Sequence, residues 1–135
     1  MKKILFPIVL CCILCVCCVR PDPPSPFIDN DRLQLVIGGR NILDYNALDC
    51  QKYYNSQENE FMVCSDDGSR YYSVKLSPMP TSEGQKTVAS LEWTTTLGAV
   101  RTKNNIVLDV VKIADDKIWL WNAKQQIEAC VQTIL

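Results

Sequence analysis

The chain has 135 residues, which is enough for one domain and too few for two well-packed ones. Its 14 basic and 15 acidic residues nearly balance, which argues against a nucleic-acid-binding protein, because such proteins carry a basic excess. The sequence contains no histidine, so catalysis with an imidazole base and zinc sites with histidine ligands are excluded.

The N-terminus has the pattern of an export signal. Lys2 and Lys3 precede residues 4–19, an uncharged apolar run of sixteen residues that would span roughly 24 Å as a helix, short of the ~30 Å membrane core. A basic start followed by a short apolar run is typical of a secretory signal peptide. Four prolines in residues 21–26 then predict an extended tether.

The apolar run ends in cysteines, and residues 14–18 read Leu-Cys-Val-Cys-Cys. This segment resembles a bacterial lipoprotein signal, in which a cysteine receives diacylglycerol and becomes the mature N-terminus. The resemblance implies lipidation of Cys18, which follows the small residue Cys17; Cys17 is the alternative acceptor because Leu14 lies three residues before it. An uncleaved anchor and plain secretion are the other interpretations, and both also export the chain.

The lipoprotein interpretation divides the chain into a signal peptide at 1–17, a lipid-anchored tether at 18–30 and one β-rich domain at 31–135. It implies a location in the cell envelope, on a bacterial membrane, either periplasmic or facing outward. Without Lys2 and Lys3 the chain carries 12 basic groups against 15 acidic ones. The exported part therefore has no polybasic patch for anionic lipids, and its membrane contact would come from the lipid alone.

The hydrophobic periodicity of the residues that follow the tether mostly indicates β-strands. Residues 32–38 form the first predicted strand, whereas residues 41–59 fit either a strand with a polar loop or one short helix. Alternation in residues 70–77 places Tyr72, Val74 and Leu76 on one face of a strand. The dipeptide Asp67-Gly68 predicts the hairpin turn before that strand, and two prolines make residues 77–84 a loop.

Three further strands are predicted toward the C-terminus. Residues 86–94 direct Ala89, Leu91 and Trp93 inward, and residues 117–121 place Trp119 and Trp121 on one side. Residues 106–113 are β-branched, but the alternation shifts at Val110-Val111, which indicates a bulge or partial burial on both faces. Turns are predicted at 103–105 and at 115–116.

The last segment fits two structures. Asn122 with Gln125 resembles a helix capping box, whereas residues 127–133 also alternate as a strand that follows a loop at 123–126. We prefer the strand, because a β-rich domain gains from covering a sheet edge. The sequence thus predicts a mainly β domain, a small antiparallel sandwich or barrel.

The three cysteines of the domain suggest a disulfide. Cys50 and Cys64 lie fourteen residues apart, and in an oxidising compartment a bridge between them would contribute about 3 kcal/mol. Three unbridged thiols are the alternative, and other pairings with Cys130 stay open. No metal site is predicted, because the domain lacks a CxxC pair and histidine.

The tryptophans are the candidates for a ligand-binding face. Trp93, Trp119 and Trp121 suit a groove that stacks on sugars, but period-2 spacing is more typical of core residues, and we expect core. No catalytic residue or cofactor motif is found, so the sequence predicts a non-catalytic module that is not an enzyme. Its partners would be the membrane, through the N-terminal lipid, and an unidentified protein or small ligand.

Two family resemblances bear on the domain. Residues 61–68, Phe-Met-Val-Cys-Ser-Asp-Asp-Gly, followed by Tyr72-Ser73-Val74, resemble the opening of the membrane-bound lysozyme inhibitors. That resemblance implies a lipid-anchored antiparallel barrel that inhibits an exported enzyme or serves as its accessory subunit. The C-terminal hairpins are also similar to small lipocalin-like barrels of bacterial lipoproteins, which implies ligand binding.

Overall fold

The computed structural model describes residues 32–44 and 49–133. The predicted signal peptide, the predicted lipidation site at Cys18 or Cys17 and the predicted tether lie outside these residues. The described part of the chain folds into strands without a helix. The nine strands are β1 Gln34–Ile37, β2 Arg40–Asp44, β3 Cys50–Asn55, β4 Glu60–Ser65, β5 Tyr71–Ser77, β6 Lys86–Thr94, β7 Val100–Ala114, β8 Lys117–Asn122 and β9 Ile127–Gln132.

All nine strands belong to one antiparallel sheet in the order β2-β1-β9-β8-β7-β6-β5-β4-β3. The sheet curls around its core as an open half-barrel, which confirms the predicted mainly β, barrel-like domain. Two side-chain hydrogen bonds join its two ends across the curl. Lys52 Nζ donates to Gln132 Oε1 at 2.5 Å, and Arg70 Nη2 donates to the Ile42 carbonyl at 2.7 Å.

The core lies on the concave face and receives alternate residues from nearly every strand, as period-2 patterning requires. The predicted inward triplets of β5 and β6 are confirmed. The most deeply buried members of this core are Leu35, Tyr72, Val74, Leu76, Ala89, Leu91, Leu108, Val110, Leu120, Ile127 and Ala129. Side chains fill this interior, and the small pocket beside Tyr72 and Val131 measures only about 10 Å³.

A second apolar cluster lies on the opposite face of the sheet. It contains Leu33, Trp119, Trp121 and Cys130, with Trp119 only 2% exposed. Trp119 and Trp121 therefore share a face, as predicted, while Ile118 and Leu120 project into the concave core. β8 is buried on both faces.

The long strand β7 contains two bulges. The one predicted at Val110-Val111 is confirmed, since Val111 is the extra residue between the pairs Val110–Leu120 and Lys112–Trp119. The turn predicted at 103–105 is wrong. The strand continues there through a bulge at Asn105, whose φ of 58° is tolerated by asparagine, and the hairpin turn lies earlier, at Thr95–Ala99.

The two ambiguous segments are both strands. Of residues 41–59, those that the structure describes supply most of β2, all of β3 and the turn at 56–59 that leads to β4, and none of them is helical, so the predicted short helix is wrong. The C-terminal segment forms β9, which covers the edge of β1 and β8 as expected. Asn122 Oδ1 does accept a hydrogen bond from the Gln125 amide at 2.9 Å, but it caps the β8–β9 turn instead of a helix.

Candidate functional site: an arginine–tryptophan cleft

An open cleft lies where the β1–β2 hairpin faces the β6–β7 hairpin across the mouth of the half-barrel. Its volume is about 380 Å³, within the range of small-ligand sites. Its lining residues are Ile37, Gly38, Arg40, Ile42, Trp93, Thr95 and Arg101. A recess of about 100 Å³ shares four of these residues and adds Arg70 beside them. We call this surface the Arg–Trp cleft, after Arg40, Arg70, Arg101 and Trp93.

Arg40 is positioned by a tight hairpin turn. Gly38 and Gly39 have φ values of 61° and 80°, the left-handed conformation that a two-residue type I′ turn requires at both positions. The turn brings Arg40 opposite Ile37 in the β1–β2 ladder. A glycine pair is needed here because other residues adopt this backbone conformation at a cost. The hairpin thus places an exposed guanidinium at the rim of the cleft.

Arg70 is positioned by the predicted Asp67-Gly68 turn and by a bulge in β2. Ser65 and Arg70 close the turn through the Ser65 N–H to Arg70 carbonyl bond at 2.8 Å and the Arg70 N–H to Ser65 Oγ bond at 3.1 Å. Ile42 is the extra residue of β2 between the pairs Leu35–Leu43 and Val36–Asn41. A bulged residue leaves the ladder, so the Ile42 carbonyl is available to accept the bond from Arg70 Nη2.

One donor of Arg70 stays unsatisfied. Its Nε is buried and has no hydrogen-bond partner. A buried donor without a partner costs free energy, and native structures hold few of them. The rigid turn on one side and the Ile42 carbonyl on the other hold the side chain in this position. The Arg70 guanidinium is therefore fixed beside the recess with hydrogen-bonding capacity unused.

Trp93 and Arg101 complete the cleft from the β6–β7 side. They are directly paired across the ladder, so both side chains project from the same face. Trp93 is 9% exposed and packs in the concave core, with one edge at the cleft, while Arg101 is exposed. The hairpin turn is tied by the Thr95 N–H to Ala99 carbonyl bond at 2.8 Å. This wall is apolar at its base and cationic at its rim.

The electrostatics of the cleft are one-sided. Neither its described lining residues nor those of the recess include an aspartate or a glutamate. Within residues 32–44 and 49–133, none of the three guanidinium groups forms an ion pair. Arg40, Arg70 and Arg101 therefore form a local positive patch on a domain in which acidic residues outnumber basic ones.

A second groove lies on the convex face between β4 and β7, with a volume of about 290 Å³. Four of its polar lining residues already bond to one another or to neighbouring residues. Ser73 donates to Glu60 at 2.7 Å, and the Tyr71 hydroxyl donates to Glu92 at 2.5 Å, which raises the pKa of Tyr71. Lys75 pairs with Glu58 at 3.0 Å. These contacts make the groove a weaker candidate than the Arg–Trp cleft.

The structure separates the sequence-predicted site residues. Trp93 lies on the concave side, whereas Trp119 and Trp121 belong to the convex cluster, so the three rings do not share one groove. Lys112 Nζ lies 4.6 Å from the centroid of the Trp119 ring. Only Trp93 reaches the cleft. The cleft arginines were not predicted, because they stand alone at three distant points of the sequence; the sole local signal was Gly38-Gly39 before Arg40.

The suggested disulfide does not fit the strand register. Cys50 pairs with Ser65 and Gln51 pairs with Cys64, so the two cysteine side chains project from opposite faces of the sheet. No bridge joins Cys50 to Cys64 in the structure. Cys130 shares the convex cluster with the tryptophans, next to Trp119 across the β8–β9 ladder.

In residues 32–44 and 49–133, no three His, Cys, Asp or Glu side chains come together as metal ligands. The same residues form no helix of the length and hydropathy needed to cross a membrane.

Fold and site together define a single-sheet β half-barrel with a filled interior and a cationic cleft at its mouth. No known protein family, curated protein or solved structure matches this chain.

Proposed function

We propose that this protein is a small exported lipoprotein that acts as a non-catalytic binding module, with its ligand in the Arg–Trp cleft. The observation that carries the proposal is the open cleft of about 380 Å³ between two hairpins, with apolar walls and three arginines around it. Binding sites commonly combine apolar walls with a few polar groups of this kind. The described lining offers no carboxylate or thiol, and the sequence no histidine, which favours binding over catalysis.

The envelope location rests on the N-terminal sequence. The basic start, the short apolar run and the cysteines at its end support export and lipidation at Cys18. The proline-rich residues 21–26 would hold the domain away from the membrane surface. A ligand-binding cleft on such a tethered domain would be accessible from the surrounding medium.

The anchor is tested with two matched variants. Cys18→Ser should release the protein from the membrane fraction or leave the signal peptide uncleaved, whereas Cys17→Ser should behave like the wild type. If only Cys17→Ser releases the protein from the membrane fraction, Cys17 and not Cys18 is the lipidated residue. If both variants remain membrane-bound and processed, the chain is not a lipoprotein.

Binding in the cleft is tested by a ligand screen on the purified full chain. Amide and indole NMR resonances are recorded against a panel of neutral sugars, sugar acids, short peptides and phosphates. A true ligand should shift the resonances of Gly38, Thr95 and the Trp93 indole and leave those of the convex groove, such as Ser90, unchanged. Binders that shift only the convex groove, or a panel without any binder, would contradict the proposal.

A second candidate, an inhibitor or accessory subunit of an exported enzyme, is favoured by the shape of the β6–β7 hairpin. Residues 96–105 are all exposed, and Leu97 at the tip is 95% exposed. A protruding loop with an apolar tip can enter the cleft of another protein. The test is a lysozyme activity assay with the purified chain and with Leu97→Ser. Inhibition that Leu97→Ser abolishes would favour this function, and unchanged lysozyme activity with the wild type would reject the inhibition of lysozyme.

A further inference from the structure

We infer that the Arg–Trp cleft recognises the anionic group of a small ligand, a carboxylate or a phosphate, through Arg40, Arg70 and Arg101. This inference rests on the proposed binding function and specifies the chemistry of the ligand. It starts from the three guanidinium groups, which converge on one cleft from three separate hairpins. In the part of the chain that the structure describes, none of them has an ionic partner.

Such an arrangement is costly unless something offsets it. Like charges held around one site repel each other, and water at the exposed Arg40 and Arg101 screens this repulsion only in part. Basic residues elsewhere in the described domain show the usual solution, since Lys75 lies 3.0 Å from Glu58 and Lys86 lies 2.7 Å from Asp109. The cleft lacks acidic side chains of its own, so a bound anion would supply the missing charge.

Arginine is the residue type that fits this role. Its planar guanidinium binds carboxylate and phosphate groups through two parallel hydrogen bonds, which lysine cannot do. Arg70 is already held rigidly by the Ile42 carbonyl and by the Ser65 turn, so little side-chain entropy is lost when it contacts a ligand. Within the described residues its guanidinium hydrogen-bonds only through Nη2, so the existing contacts do not use its full donor capacity, although the buried Nε is out of reach of a ligand.

The remaining lining residues set the size and the selectivity of the ligand. A volume of about 380 Å³ suits a molecule with one ring, and the hydroxyls of Thr95 and Thr96 lie beside the arginines for further polar contacts. The chain as a whole has no basic excess that would hold an extended polyanion. The cleft is therefore suited to a small ligand with an anionic group, and not to nucleic acid.

The test uses two anions from different sources and one neutral control. D-glucuronate, inorganic phosphate and D-glucose are titrated into the full chain, and the Trp93 indole and Gly38 amide resonances are followed. We expect saturable shifts with glucuronate or phosphate at millimolar concentration and none with glucose. Binding should weaken with added salt, because the contacts are ionic and partly exposed.

Variants assign the effect to the arginines. Arg40→Gln and Arg101→Gln remove exposed side chains and should each weaken anion binding by about tenfold or more. Arg101→Lys keeps the charge and should still weaken binding, because the two-point contact is lost. Lys75→Gln on the convex side of the sheet removes the same charge and should leave binding unchanged.

The failure of this inference differs from that of the proposed function. Glucose binding in the cleft as tightly as glucuronate, with unchanged affinity in both Arg→Gln variants, would overturn the anion inference and leave the binding module intact. If Lys75→Gln weakens anion binding as much as the Arg→Gln variants do, the inference is also overturned, because the affinity would then depend only on the net charge of the protein. Absence of any cleft shift with either anion would reject the inference, and the wider ligand screen would then decide the proposed function.

Discussion

Trp93 of β6 lies directly opposite Arg101 of β7, and the two side chains leave the sheet on the same face. The indole belongs to the concave core, while the guanidinium stands at the rim of the cleft. One cross-strand pair thus joins the packing of the domain to its candidate site. A substitution at Trp93 changes both, whereas a substitution at Arg101 changes only the site.

This pair gives the first prediction. Trp93→Ala should lower the free energy of unfolding by roughly 3–5 kcal/mol, because a core indole is lost and a cavity remains. Val107→Ala is the matched control, because Val107 on β7 is 46% exposed. Its free energy of unfolding should change by less than about 0.5 kcal/mol. Urea denaturation measures both. If both variants lose the same small amount of unfolding free energy, the Trp93 side chain does not belong to the core.

The second prediction concerns the convex tryptophans. Trp119→Ala and Trp121→Ala should each cost roughly 3–5 kcal/mol, since their side chains are 2% and 7% exposed. A domain of this size has only about 5–15 kcal/mol of stability, so either variant should show a clearly lower thermal midpoint. Unchanged midpoints in both variants would show that this face is not core and would make it a ligand surface.

The third prediction is a pH dependence from the β4–β5 turn. Asp67 Oδ1 accepts hydrogen bonds from the Ser69 amide at 3.0 Å and from the Ser69 and Ser65 hydroxyls, both at 2.8 Å. The bond from the Ser69 amide is the largest of these effects, and together they lower the pKa of Asp67 from 3.8 to about 2. A depressed folded-state pKa stabilises the protein above the unfolded value, and this stabilisation is lost as the pH falls toward 2.

Asp67→Asn should therefore be less stable than the wild type at neutral pH, and the difference should shrink as the pH falls from 3.8 toward 2. Asp66→Asn is the control in the same turn and should keep the acid dependence of the wild type. Denaturant titrations across this pH range measure the effect. If the difference in the free energy of unfolding between Asp67→Asn and the wild type stays constant over this pH range, the ionised Asp67 carboxylate does not stabilise the turn through its hydrogen bonds.

The fourth prediction concerns cysteine chemistry. Mass spectrometry of the purified chain without reductant should find no peptide pair linked through Cys50 and Cys64, because their side chains lie on opposite faces of the β3–β4 hairpin. A linked pair would require β3 to shift by one residue relative to β4. Such a shift would also separate the Tyr54 and Phe61 rings, which stack with their centroids 4.8 Å apart. Detection of that linked pair would contradict the register.

Much of the fold follows from local patterns in the sequence. β6 has the predicted bounds, β5 and β8 lie within a residue of theirs, and the inward residues of β5 and β6 are those that alternate as apolar positions. β5 and β6 were predictable because each is half-buried and its apolar residues recur at every second position, whereas β8 is buried on both faces and was predictable as a short apolar run next to a turn. The bulge at Val111 also had a local signal, since the apolar alternation shifts there.

Other parts had misleading local signals. Lys103-Asn104-Asn105 has turn composition, yet β6 pairs with residues on both sides of it and the strand continues through a bulge. The Asn122 side chain forms the capping bond expected at a helix N-terminus, although the following residues turn into β9. In both places the pairing partner decided the structure, and a partner distant in sequence leaves no trace in the local pattern.

By itself, the sequence determined the β class of the domain, most of its strands and the residues that enter the core, because these depend on the alternation of side chains along each strand. Only the tertiary structure decided which residues meet at the mouth of the half-barrel. Arg40, Arg70 and Arg101 belong to three hairpins, and the curl of the sheet, fixed in part by the bond from Arg70 to Ile42, brings them around one cleft. Their convergence depends on strand register, bulges and sheet curvature, which no single segment of the chain encodes.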